Sequence, residues 1–106
     1  MLKKEAIYKA EKFKNLREIL KNAVEKYSEN TSFIIKEKNG KDVKYKNITF
    51  KQFYEDVNYL GTALINKGLK DKKIAIIGKN RYEWCLSYLS VVNGVGTVIP
   101  LDKGLP

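Results

Sequence analysis

Two short apolar runs constrain this chain more than any other feature. Ile74-Ala75-Ile76-Ile77 lies between Lys72-Lys73 and Gly78-Lys79, and Thr97-Val98-Ile99-Pro100-Leu101 follows Gly94 and Gly96. Neither run alternates with polar residues, which is the pattern of parallel strands covered on two faces. Between them, residues 81–93 carry Trp84, Leu86, Tyr88, Leu89, Val91 and Val92, apolar on most sides. Such a helix is expected inside a larger body and not on a surface. Strand, helix and strand in about thirty residues predict a parallel βαβ unit with a right-handed crossover. Two parallel strands leave two long edges that native proteins avoid exposing. The expectation is therefore the front piece of a larger α/β protein, although 106 residues would suffice for one small domain.

The preceding residues supply the other elements. Asn15-Leu16-Arg17-Glu18 has the spacing of a capping box, and Leu16, Ile19, Leu20, Ala23, Val24 and Tyr27 follow on one helical face. Residues 32–38 and 43–46 alternate as strands around Asn39-Gly40, a strong two-residue hairpin signal. One apolar face and one lysine face are expected there. Thr49-Phe50-Lys51-Gln52 is a second box, opening a helix with a stripe through Phe53, Val57, Gly61 and Leu64. Gly61 in that stripe suggests close backbone packing, and Gly68 suits a left-handed helix stop. Asn80-Arg81-Tyr82-Glu83 reads as a third box, with Asn80 as the cap. Residues 1–14 form a basic N-terminal arm with scattered Ile7, Tyr8 and Phe13.

Composition excludes several chemistries. The chain has no histidine and one cysteine, Cys85, so it offers no Ser-His-Asp triad, no His general base and no internal disulfide. The net charge is +9, with +6 in residues 1–46 and +3 in 47–106. Nearly all of the basic excess is lysine, Arg17 and Arg81 being the two arginines, whereas guanine or phosphate readout favours arginine. A solvated lysine surface is the better reading, and no nucleic-acid partner is expected. No segment reaches the roughly 20 apolar residues of a membrane span. Met1 to Lys14 lacks a signal-peptide core, so the expected location is cytoplasmic. The sequons at Asn30 and Asn47 are then taken as chance.

No motif carries chemistry. Gly78-Lys79-Asn80 follows a strand and opens a helix, as a phosphate loop does. The required earlier glycine is Lys73, however, and the required Ser or Thr is Asn80. Gly94-Val95-Gly96 precedes a strand instead of following one, and the third glycine of a dinucleotide fingerprint would be Ile99. Asp102, just past a strand end, is the best lone carboxylate. Glu55, Asp56 and Asp71 read as solvated positions, and Trp84 and Cys85 read as core. No catalytic, cofactor-binding or metal residue is assigned.

Three segments resemble the AMP-forming acyl-CoA synthetases, the adenylate-forming enzymes. Ile48-Thr49-Phe50-Lys51-Gln52-Phe53 is similar to the family's early segment, whose Thr caps the first long helix. Residues 73–84, ending Asn80-Arg81-Tyr82-Glu83-Trp84, are similar to its next strand and helix start. Residues 92–102, with Gly94 and Val98-Ile99-Pro100-Leu101, are similar to the strand that follows. Their order and intervals fit over about sixty residues, and Lys103-Gly104-Leu105-Pro106 leans toward the long-chain fatty acid branch. Asn93 departs from the residue often found there.

The resemblance implies an α/β fold: the N-terminal portion of the large domain, with leading helix, hairpin, long helix and parallel βαβ unit. Residues 15–106 would be an incomplete N-terminal part of the AMP-binding domain. The parent would be a fatty acid–CoA ligase that forms an acyl-adenylate from ATP and then a thioester with coenzyme A. ATP, Mg and coenzyme A are implied for that parent and none for this stretch, which is expected to be inactive alone. Implied partners are the remainder of the parent chain and a fatty acid. Peripheral membrane contact and self-association through strand edges stay open. Two other readings also stay open: a free-standing basic module for RNA or an anionic membrane surface, and a peptide synthetase adenylation domain.

Overall fold

The computed structural model describes residues 7–106; the first six residues of the proposed arm lie outside the described part. Residues 7–13 are exposed and form no helix or strand. The elements then run α1 (Leu16–Tyr27), β1 (Thr31–Asn39), β2 (Asp42–Thr49), α2 (Phe50–Asn66), β3 (Lys73–Ile77), α3 (Tyr82–Val92) and β4 (Thr97–Leu101). β1 and β2 pair antiparallel; β3 and β4 form a separate parallel pair, in register from Lys73–Thr97 to Ile77–Leu101. This is the α/β order expected from the sequence.

The caps show how far local chemistry decides helix starts. At α2 the box is complete: Gln52 N donates to Thr49 Oγ1 at 3.1 Å and Thr49 N donates to Gln52 Oε1 at 2.9 Å. At α1 it is displaced. Glu18 N donates to Asn15 Oδ1 at 2.9 Å, but Glu18 Oε2 accepts from Lys14 N, one residue before the cap. The third box does not form. α3 is capped by Arg81 without a side-chain hydrogen bond, and Asn80 stands one residue outside. The Arg81 carbonyl accepts from Trp84 N and Cys85 N at 3.1 and 3.2 Å, so Arg81 occupies the capping position and Glu83 lies one place too early to reciprocate.

The hairpin corrects two expectations. Asn39 pairs with Asp42, so the two-residue loop is Gly40-Lys41 and not Asn39-Gly40. Gly40 takes φ +65° at the first loop position, the one that must be left-handed in a type II′ turn. The faces are also mixed. Residues directly opposite share a face, and the register sets Phe33 against Ile48, Ile35 against Lys46, Lys36 against Tyr45 and Lys38 against Val43. Ile35 of β1 thus stands across from a lysine of β2, Tyr45 and Val43 of β2 stand across from lysines of β1, and Ile34, Val43 and Tyr45 remain 64%, 44% and 65% exposed.

The core lies between the hairpin base and the helices. Leu20, Ile48, Phe53 and Val57 are buried, with Phe33, Ile35, Tyr82, Leu86 and Leu89 packed against them. Phe33, Phe53 and Tyr82 meet edge to face, with ring centroids 4.8–5.8 Å apart. Of the α1 stripe only Leu20 is buried; Leu16, Ile19 and Tyr27 stay about half exposed. Gly61 lets α2 approach α3 as expected: a Cβ there would stand 3.6 Å from Ser90 O and from Val95 Cγ2. α2 ends at Asn66, and Gly68 takes φ +83°.

The β3–β4 pair departs from the expected two-sided cover. α3 packs on both strands and Ile76 is buried, but Ile77, Ile99 and Leu101 stay exposed. Among the described residues, no element is packed on that second face. α3 is accordingly only half-buried along most of its length, with Ser90 and Val91 buried.

Candidate functional site

Open α/β sheets place ligand-facing groups beyond the carboxyl ends of their strands. Here those ends are Ile77 and Leu101. The turns after them line a shallow cleft of about 390 Å³ with Gly78, Lys79, Asn80, Trp84, Asp102 and Lys103. Two of the sequence candidates, the Gly78-Lys79-Asn80 turn and Asp102, therefore meet at one place.

Their chemistry is already committed locally. Asp102 Oδ1 accepts from Gly104 N at 2.8 Å, and Asp102 O accepts from Leu105 N at 3.1 Å. The carboxylate holds its own turn, a common use of Asp after a strand. The N-terminus of α3 presents free amides, but Glu83 stands in its first turn with Oε2 3.6 Å from Arg81 Nε. That carboxylate complements the positive end of the helix and would oppose a phosphate there. Among the described residues no group of three or more His, Cys, Asp or Glu is placed to hold a metal ion.

The other candidates are structural. Gly94 takes φ +133° at the end of α3, and Gly96 packs on the Lys72 backbone, so Gly94-Val95-Gly96 is a helix-to-strand turn. Asp71, at φ +61°, donates its N–H to Val95 O at 2.7 Å in the turn before β3. Trp84 stacks on Tyr88 one helical turn on, with centroids 5.4 Å apart. Cys85 is a free, half-buried thiol.

One pair escaped the sequence reading. Tyr82 Oη donates to Asp56 Oδ2 at 2.6 Å in a half-buried position, tying the start of α3 to the middle of α2. Burial raises the Tyr82 hydroxyl well above its ordinary pKa, aided by the bond to Asp56 and by the charges of Asp56 and Glu83. Asp56 is therefore not a freely solvated position. Its signal was present: it lies three residues after Phe53 and one before Val57, on the edge of the buried stripe. The pair borders a groove of about 660 Å³ between the hairpin and the two helices, with Lys46, Gln52, Glu55 and Arg81 also on its walls.

The pattern of known proteins decides what this arrangement belongs to. A family described as AMP-binding enzyme matches residues 20–106. The chain belongs to the AMP-binding enzyme family. Long-chain-fatty-acid–CoA ligase 5 of Rattus norvegicus is 38% identical over 60 residues, 54% of this chain and 9% of that protein. The Mus musculus counterpart is 37% identical over the same length. The match thus spans about a tenth of these relatives. Among solved structures, the Klebsiella oxytoca NpsA N-terminal subdomain superposes with TM-score 0.74 at 17% identity, covering 89% of this chain and 23% of that one. The anthranilate CoA ligase AuaEII in complex with anthranoyl-AMP gives 0.67 at 18%, covering 86% of this chain and 16% of that one. At these identities the likeness shows a shared fold.

Proposed function

We propose that this chain is the leading structural part of an ATP-dependent, AMP-forming ligase that joins a fatty acid to coenzyme A. The observation that carries the proposal is the 60-residue, 38% identity to a long-chain-fatty-acid–CoA ligase, inside a family match over residues 20–106. The reading assigns to this stretch no catalytic, cofactor or metal residue. It contributes the β3–β4 pair, the α3 helix that covers one side of it, and the hairpin and helices packed against α3. ATP, magnesium and coenzyme A would be held by the rest of the protein, in the cytoplasm. The committed Asp102 carboxylate and the Glu83 charge at the α3 N-terminus support that division.

The test is pyrophosphate exchange into ATP, followed by thioester formation when coenzyme A is added. The full-length protein is expected to exchange with long-chain fatty acids and to release AMP on forming the thioester. The 106-residue chain alone is expected to stay at background. Exchange driven by amino acids and not by fatty acids would replace this reading with a peptide synthetase. Exchange by the short chain alone would refute the structural role.

A further inference from the structure

The β1–β2 hairpin has a division of charge that the ligase reading does not use. Its nineteen residues from Thr31 to Thr49 hold five lysines and two acids. The observed register sorts them. Glu37 pairs with Lys44, and Asn39 with Asp42, on the face that carries Phe33, Ile35 and Ile48 and packs on the helices. The opposite face receives Ile34, Lys36 and Lys38 from β1 and Val43, Tyr45 and Asn47 from β2. It contains no acidic residue. Lys36, Lys38 and the loop Lys41 are exposed and, among the described residues, take part in no ion pair. Two of the three apolar side chains on this face stand opposite a lysine, Tyr45 opposite Lys36 and Val43 opposite Lys38, and Ile34 stands opposite Asn47.

An all-basic face studded with exposed apolar side chains suits one kind of surface. Lysines are drawn to an anionic leaflet, and Ile, Val and the amphipathic Tyr ring enter the headgroup boundary. A soluble acidic protein would satisfy the lysines but not favour Tyr45 and Ile34 left among them. RNA readout would favour arginine, and this hairpin has none. We propose that the outward face of the hairpin is a docking surface for an anionic phospholipid bilayer. The proposal does not depend on which acid the protein activates.

The test is sedimentation of the full-length protein with two kinds of vesicle at ~0.15 M salt. One is phosphatidylcholine alone; the other contains about one third phosphatidylserine. Binding to the second and not the first is expected. Lys36→Gln with Lys38→Gln is expected to weaken binding about 25-fold, from about fivefold per lysine. Lys44→Gln with Lys46→Gln removes equal charge from the other face and is expected to cost less than fivefold in total, which separates face from net charge. Circular dichroism on these exposed-site variants checks that each is folded. As a second readout, vesicles are expected to shield Lys36 and Lys38 from trypsin but not the exposed Lys67. No preference for the anionic vesicles, equal losses from the two pairs, or tighter binding to single-stranded RNA than to vesicles would each overturn the proposal.

Discussion

Gly96 and Gly61 make a paired experiment in which the same substitution has opposite signs. A Cβ at Gly96 would overlap the Lys72 carbonyl oxygen and stand 3.1 Å from Lys72 N and 3.3 Å from Lys72 C. Those are backbone atoms, so no side-chain rotation relieves the contact. The same carbonyl accepts from Thr97 N at 3.0 Å at the start of the β3–β4 pairing. Opening the contact by roughly an ångström stretches that bond out of range. Overpacking costs about 1–3 kcal/mol and the lost hydrogen bond about 1 more, so Gly96→Ala is expected to cost about 2–4 kcal/mol. At Gly61 the added Cβ meets its neighbours at 3.6 Å, an ordinary contact. Alanine is preferred over glycine in a helix interior by about 0.8–1.0 kcal/mol, so Gly61→Ala is expected to be neutral or stabilising by up to that amount. Urea unfolding followed by the fluorescence of the single tryptophan, Trp84, reads both. With a slope of about 1.5–2 kcal/mol per molar, the Gly96→Ala midpoint should fall by about 1–2.7 M, while that of Gly61→Ala should not fall. A Gly96→Ala midpoint equal to wild type, or a larger loss at Gly61, would refute the reasoning.

Other outcomes follow from the same geometry. Thr49→Ala removes one half of the α2 box and is expected to cost about 1 kcal/mol in the same unfolding assay, whereas Asn80→Ala, outside the α3 cap, should stay within about 0.5 kcal/mol. Tyr82→Phe deletes the donor to Asp56 and is expected to cost about 1 kcal/mol near neutral pH, the half-buried carboxylate being partly rehydrated. The Tyr82 hydroxyl titrates higher in the folded than in the unfolded chain, where its ordinary value is 10.0. Its contribution is therefore complete below pH 10 and is lost as pH rises above it. Wild type should lose stability more steeply than Tyr82→Phe over that range; parallel curves would deny the coupling.

The sequence was a good guide to elements and a poorer one to what they touch. Periodicity placed all seven elements to within a few residues, because strand and helix periods are local. Thr49-Gln52 worked as a capping box, yet Asn80-Glu83, with the same spacing, did not. The difference lies in where the chain leaves β3 and which residue then reaches the capping position. Gly61 was recognised as a close approach, but the tighter one is at Gly96, whose neighbour Lys72 is 24 residues away and is set by strand pairing. The site was less legible still. Asp102 and the Gly78-Lys79-Asn80 turn do share a cleft, but only the folded chain shows the carboxylate turned onto Gly104 N.

What the sequence determined by itself was the order of helices and strands, the parallel character of β3 and β4, and the family, through three short segments at set intervals. These depend on spacing along the chain. The tertiary structure alone decided the Gly40-Lys41 turn, the confinement of both hairpin acids to one face while Lys36 and Lys38 take the other, and the bond from Tyr82 to Asp56. Each of these depends on residues distant in sequence being brought opposite one another, and register and packing, not composition, choose the partner.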